Sequence, residues 1–200
     1  MIQRFDENEL DKLAEILKND EVISVPTDTV YGVCARMNSE KAEQKLRDVK
    51  NRPATKAFPI MCKDEEQIKS IAYVNEKAEK IIRAFMPGPI TIILKKKEEI
   101  PAYVNSGMET LAIRMATSDE IRKIIELVDA PLFMTSANQS GEKTCTTLDE
   151  IEVACPLIKG MLIGDTKFSK ASTIVDITKD DAIILRDGPI TLEEIKKVLD

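Results

Sequence analysis

The chain has 200 residues, with 29 Lys and Arg against 35 Asp and Glu, a formal net charge of −6 and no histidine. That length suits one substantial core and a single domain over residues 1–200, and 43% hydrophobic with 32% charged residues is ordinary globular composition. The acidic balance argues against a protein that coats nucleic acid non-specifically, and the empty histidine column removes Ser-His-Asp and Cys-His catalysis.

No run of 18 apolar residues occurs and the start MIQRFDENEL is polar, so neither a membrane span nor a secretory signal is expected, and the cytoplasm is the expected compartment. Cys34, Cys62, Cys145 and Cys155 show no C-x-x-C spacing and have no histidine to join them. They read as reduced thiols rather than zinc ligands.

In chain order, Asp6-x-x-Glu9 has the form of a capping box, and Leu10, Leu13, Ala14 and Leu17 follow at helix spacing, which predicts an amphipathic helix over 7–19. Val22 to Val25 reads as a buried strand ended by Pro26, with Thr27 to Gly32 as the turn and its exit. Ser39 caps a helix through about Val49 that delivers Lys50 and Arg52 from its end. Phe58 to Cys62 reads as a strand, Asp64-x-x-Gln67 as a helix start, and Ala78, Ile81, Ile82 and Phe85 as a further helical stripe that stops at Pro87-Gly88-Pro89.

Strands are then predicted at Ile90–Leu94, Leu111–Met115 and Pro131–Met134, with a Ser118-capped helix before the last of them. Thr147-x-x-Glu150 and Thr191-x-x-Glu194 cap two later helices, and Thr173–Ile177 and Ala182–Leu185 read as strands between them. Mixed β-α-β and strand-to-strand steps favour an open α/β sheet with parallel and antiparallel pairs. Ligands commonly collect where loops leave the strand ends of such sheets.

Neither G-x-x-x-x-G-K-[ST] nor G-x-G-x-x-G is present, so a nucleotide would need another phosphate cradle. Lys50, Arg52 and Lys56 form a cationic cluster, and Ser136, Asn138 and Gly141 offer neutral donors in a loop. Arg114 and Arg186 each close a predicted strand and can converge on one crevice. Charge alone favours a solvated helix end for the lysine and arginine cluster, and Pro53 with its turn chemistry shifts that balance. The Ser136–Asn138 loop reads equally as one that satisfies its own backbone, and Pro26–Gly32 as a structural turn.

Seven stretches occur in order: V-P-T-D-T-V-Y-G from Val25, K-N-R-P-A-T-K from Lys50, M-P-G-P-I-T from Met86, L-A-I-R from Leu111, T-S-A-N-Q-S-G from Thr135, A-S-T-I-V-D from Ala171 and I-L-R-D-G from Ile184. On these the chain resembles the YrdC/TsaC family of threonylcarbamoyl-AMP synthases, from about Glu21 to Pro189. The resemblance implies one YrdC-like domain, an open twisted mixed sheet flanked by helices. It implies an enzyme that joins L-threonine, bicarbonate or CO2 and ATP into threonylcarbamoyl-AMP and pyrophosphate, for threonylcarbamoyladenosine modification of tRNA beside the anticodon. It places Arg52, Lys56, Thr110, Ser136, Thr144 and Arg186 near ATP, with Lys50 and Asn138 completing a Lys-x-Arg and Ser-x-Asn tetrad. Thr29, Arg114, Ser172 and the main chain around Met134 fall near threonine.

In that picture Lys50 and Arg52 carry the catalysis with Arg186, by neutralising phosphate charge together with Mg2+ held on the ATP phosphates rather than by protein ligands. Arg114 clamps the threonine carboxylate. A downstream threonylcarbamoyl transferase is the implied partner, and no membrane is involved. The chain departs from the family pattern at Met61, where many members carry histidine, at Arg114-Met115-Ala116 in place of Arg-x-Pro, and at Thr144-Cys145-Thr146 in place of Ser-Pro-Thr. The length matches the short form without an additional C-terminal domain. Two alternatives follow from the same resemblance: a module that binds double-stranded RNA or tRNA, and a paralogue that activates another acceptor.

Overall fold

A computed structural model describes residues 2–166 and 171–199. From the N-terminus come β1 (Gln3–Phe5), α1 (Leu10–Lys18), β2 (Ile23–Pro26), β3 (Tyr31–Arg36), α2 (Glu40–Lys50) and β4 (Ile60–Cys62). They are followed by α3 (Glu65–Ile71), α4 (Glu76–Phe85), β5 (Ile90–Lys95), a 3-10 turn at Ala102–Asn105, β6 (Thr110–Met115), α5 (Asp119–Val128) and β7 (Leu132–Ser136). The last elements are α6 (Leu148–Ala154), β8 (Gly160–Leu162), β9 (Thr173–Asp176), β10 (Ile183–Arg186) and α7 (Leu192–Leu199).

Side chains at the helix starts satisfy amides that the helices leave orphaned. Ser39 Oγ accepts from the Ala42 amide at 3.2 Å, Asp64 Oδ1 from Gln67 at 2.8 Å and Ser118 Oγ from Ile121 at 3.1 Å. Both Thr-x-x-Glu boxes close reciprocally, with the Glu150 amide donating to Thr147 Oγ1 at 3.2 Å and the Glu194 amide to Thr191 Oγ1 at 3.3 Å. The Asp6 box behaves differently from its sequence reading. Glu9 Oε2 accepts from the Asp6 amide at 3.2 Å, but Asp6 Oδ1 takes the Asn8 amide at 2.8 Å. The motif therefore closes the turn before α1, and the helix starts at Leu10 rather than residue 7.

The strands form one sheet in the order β1-β8-β2-β3-β7-β4-β6-β5-β9-β10. β8 is parallel to both β1 and β2, β4 to β6 and β5 to β9, while the remaining neighbours are antiparallel. The Thr27–Gly32 turn is tighter than expected, because the chain reverses within four residues and pairs Pro26 with Tyr31 and Ile23 with Cys34. β1, β3 and β8 are strands that the sequence reading did not name, and β7 runs on to include Ser136.

Alternation along the strands divides the core between two helical layers. Cys34, Leu132 and Met134 join α1 and α5 on one face through Leu13, Leu17, Ile121 and Ile125. Val33, Ala35 and Phe133 face the other way, onto α2, α3 and α4 through Leu46, Ile68 and Ile81. With both faces covered, the open space for a ligand lies at the strand ends.

Candidate functional site

A cavity of about 550 Å3, counting its open mouth, lies where the β2–β3 turn, β4, β6, β7 and β10 come together. Thr27, Thr29, Met61, Arg114, Met134, Ser136, Ser172 and Arg186 are among its walls. The two strand-end arginines that the sequence singled out thus meet in one crevice.

The rim at 27–30 is held by one hydroxyl. Thr27 Oγ1 donates to the Val30 carbonyl at 2.6 Å and accepts from the Thr29 and Val30 amides at 3.2 Å each. Thr27 Oγ1 also lies 3.0 Å from Thr29 Oγ1, so the two hydroxyls are in contact. Thr29 Oγ1 in turn receives Arg114 Nη1 at 3.0 Å. Arg114 Nε donates to the Gly88 carbonyl at 3.1 Å, and Nη2 pairs with Asp28 Oδ1. Both partners of that ion pair are nearly buried, with side chains 8% and 9% exposed. Burial pulls the Arg114 pKa below the ordinary value while Asp28 opposes the shift. These contacts use one N–H on each nitrogen of a group with five, which leaves its two terminal amino groups able to meet a carboxylate end-on.

Across the crevice Arg186 is anchored on one residue, with Nε donating to the Ser172 carbonyl and Nη2 to Ser172 Oγ, both at 3.0 Å. Ser172 Oγ also shares a proton with Thr91 Oγ1 at 2.9 Å. Burial first, and the charge of Arg114 second, lower the Arg186 pKa. Two guanidinium groups facing one cavity make it a place for anions.

Lys50, Arg52, Lys56, Thr110, Asn138 and Thr144 do not line this cavity. The resemblance put Lys50 against ATP, but its side chain runs inward. The residue is 1% exposed, and Nζ donates to the carbonyls of Ser136 and Asn138 and to Asn138 Oδ1, the last at 2.9 Å. Those contacts account for all three ammonium protons. Burial is the main reason its pKa is lowered to about 8. Ser136 Oγ donates to Asn138 Oδ1 at 2.6 Å, and the Ser140 amide caps the Lys50 carbonyl at 2.9 Å. The two motifs read in the sequence as separate arms are one hydrogen-bonded unit, which presents Ser136 to the cavity and keeps Lys50 behind it.

Arg52 is part-buried above the Phe58 ring, 4.9 Å from its centroid, with Nε donating to the Lys56 carbonyl at 3.0 Å and Nη2 to Ala57 at 2.6 Å. Burial and the nearby Arg47 charge both lower its pKa. Lys56 is exposed beside it, while Thr110 begins β6 at the end away from Arg114 and Thr144 is half-buried in the loop after β7. The sequence reading missed Asp28, although it stands inside P-T-D-T, and Arg47, whose only signal was its i, i+4 relation to Glu43. Met61, at the departure from the family pattern, is 3% exposed and lines the cavity within an apolar cluster, so that wall offers a thioether and no proton.

Residues 15–188 match the Sua5/YciO/YrdC family model, described as telomere recombination. A Methanocaldococcus jannaschii chain provisionally named threonylcarbamoyl-AMP synthase is 40% identical over 202 residues, covering 98% of this chain and 95% of that one. The threonylcarbamoyl-AMP synthase of Pyrococcus abyssi is 32% identical over 204 residues, and there the match covers 98% of this chain but 59% of the relative. The crystal structure of P. abyssi Sua5 complexed with L-threonine superposes with a TM-score of 0.92 at 31% identity, over 100% of this chain and 61% of that one.

Proposed function

The chain belongs to the Sua5/YciO/YrdC family, and we propose that it is a threonylcarbamoyl-AMP synthase, making threonylcarbamoyl-adenylate and pyrophosphate from L-threonine, bicarbonate-derived CO2 and ATP. The observation that carries the reading is the crevice between Arg114 and Arg186, edged by the hydroxyls of Thr29, Ser136 and Ser172. The names of the relatives and the threonine complex of P. abyssi Sua5 support the same reading.

The threonine carboxylate meets the terminal amino groups of Arg114, which Asp28, Thr29 and Gly88 hold in place. The threonine amine, once deprotonated, adds to CO2 to give a carbamate. A carbamate oxygen attacks the α-phosphorus of ATP, the bond to the β-phosphate breaks, and pyrophosphate leaves with its electron pair. Arg186 and Arg52 offset the phosphate charge, and the Ser136 hydroxyl can donate to a phosphate oxygen in place of Asn138. Mg2+ would be held on the ATP phosphates rather than by protein ligands, and would supply further neutralisation of their charge. The cationic and hydroxylic donors here suit a metal that rides on the triphosphate, and Asp28 is occupied by Arg114. Lys50 acts by holding the Ser136–Asn138 loop rather than by touching phosphate.

The product carries a reactive mixed anhydride, so its consumer is a threonylcarbamoyl transferase acting on tRNA adenosine. Among the described residues no helix is long and apolar enough to cross a membrane, and we place the activity in the cytoplasm with that substrate. Incubation with Mg-ATP, bicarbonate and single amino acids tests the reading. Threonine-dependent pyrophosphate release that stops on adding EDTA is the expected result, and release indifferent to amino-acid identity, or none, overturns it. Threonine-independent, steeply salt-sensitive RNA binding would favour the RNA module instead.

A further inference from the structure

Arg47 lies on the face of α2 turned away from solvent, one helical turn after Glu43. The two form an ion pair whose side chains are 8% and 6% exposed. A buried pair of this kind is weak evidence for stability, because the desolvation cost offsets most of the attraction. Its placement accounts for it better. Arg47 Nη1 donates to the Pro53 carbonyl at 2.7 Å and to the Lys56 carbonyl at 3.1 Å, and Nη2 reaches Ser106 Oγ at 3.1 Å.

Pro53 and Lys56 are the two ends of a turn, closed by the Lys56 amide on the Pro53 carbonyl at 3.0 Å. One guanidinium thus holds both ends of the segment that carries Lys56 and follows Arg52. The Lys56 carbonyl is shared, since Arg52 Nε also donates to it. Both arginines sit over Phe58, at 5.1 Å for Arg47 and 4.9 Å for Arg52, in cation–π contact. Apart from these contacts the segment is exposed at residues 53–56, and an exposed turn with no clasp would be loose. The Arg47 charge also acts on Arg52, where it adds to burial in lowering the pKa. An anion arriving at Arg52 relieves that repulsion.

We propose that Arg47, balanced by Glu43, is a positioning residue that clamps the 53–57 segment so that Arg52 and Lys56 are set for the nucleotide's phosphates. The proposal deepens the synthase reading and rests on it for the identity of that anion. Arg47 does not touch substrate. Its planar fork spans three acceptors at once, which a lysine cannot do.

The test uses the full chain with Arg47→Met, Arg47→Lys and the double variant Glu43→Met/Arg47→Met, in which an apolar pair replaces the ion pair so that folding is retained. In the double variant we expect a melting temperature near wild type, an ATP KM raised about tenfold, an unchanged threonine KM, and faster amide exchange at residues 54–57. Arg47→Lys should fall between the double variant and wild type. An unchanged ATP KM together with unchanged exchange in a folded double variant overturns the clamp, as does an equal rise in both KM values. Amide exchange is read without turnover. If the wild-type chain makes no threonine-dependent pyrophosphate, the synthase reading fails, and exchange at 54–57 still decides whether Arg47 holds the segment.

Discussion

The Lys50 ammonium donates to two oxygens of Asn138, the main-chain carbonyl and Oδ1. A third proton goes to the Ser136 carbonyl. A buried charge with every donor matched supports its surroundings, and removing it strands the acceptors.

Lys50→Met should therefore cost about 2–4 kcal/mol of stability, because the Ser136 and Asn138 carbonyls lose the ammonium that ties them together while Asn138 Oδ1 keeps only the Ser136 hydroxyl. Urea denaturation followed by circular dichroism measures this. Activity should fall at temperatures where the variant is still folded, because Ser136 loses its fixed position. A fully active, equally stable variant would remove Lys50 from the site's architecture.

The same residue gives a pH dependence whose sign is fixed. Its pKa is about 8 in the folded chain against an ordinary 10.5. Between those values the unfolded chain keeps a proton that the folded chain has released, so this group's contribution to stability rises with pH there. Below about 8 both states are protonated and the contribution is flat. The difference in unfolding free energy between wild type and Lys50→Met should widen as pH is raised from 8 to 10.5, and a difference that narrows would contradict the lowered pKa.

Arg114→Lys replaces a fork that meets Gly88, Thr29 and Asp28 by a single ammonium. The threonine KM should rise about ten- to a hundredfold, while the ATP KM stays within about threefold. Initial rates with each substrate varied in turn separate the two effects.

Gly32→Ala places a new Cβ 2.4 Å from Met134 Sδ, on the cavity wall. The methionine is flexible and can swing aside, so the change should cost about 1–2 kcal/mol of stability, with the displaced side chain narrowing the cavity and raising the threonine KM. Thermal melts and threonine titration check both parts.

Gly188→Ala is the harsher change, because its Cβ would sit 2.1 Å from the Thr173 amide nitrogen and 2.6 Å from the Ser172 carbonyl carbon. Main chain must move, and both oxygens that anchor Arg186 belong to Ser172. A loss of about 2 kcal/mol or more is expected, with kcat/KM falling further than a purely thermal effect would give at a temperature well below the melt.

Capping at Ser39, Ser118, Thr147 and Thr191 was legible because each motif acts within four residues of itself. β1 and β8 were not, since three-residue strands carry almost no period of their own and exist through partners far away in sequence. The meeting of Arg114 and Arg186 followed from two strands ending in arginine. The inward course of Lys50 could not follow from spacing, because a lysine that ends a helix looks the same in sequence whether it turns to water or to a facing loop. Arg47 was hidden for a related reason, as Glu43 and Arg47 have the spacing of an ordinary exposed helix pair.

The position of β8 has a consequence for the order in which the chain can assemble. β8 lies between β1 and β2, so Gln3 and Ile23 both find their partner in Gly160. During synthesis, at about 5–20 residues per second, the first two strands wait many seconds with no neighbour on the edges they later share. Ser172 and Arg186 are made later still, and with them the far wall of the cavity. The binding crevice is thus among the last parts that a ribosome completes, and a chain halted before residue 160 would carry open strand edges that invite aggregation instead of a partial site.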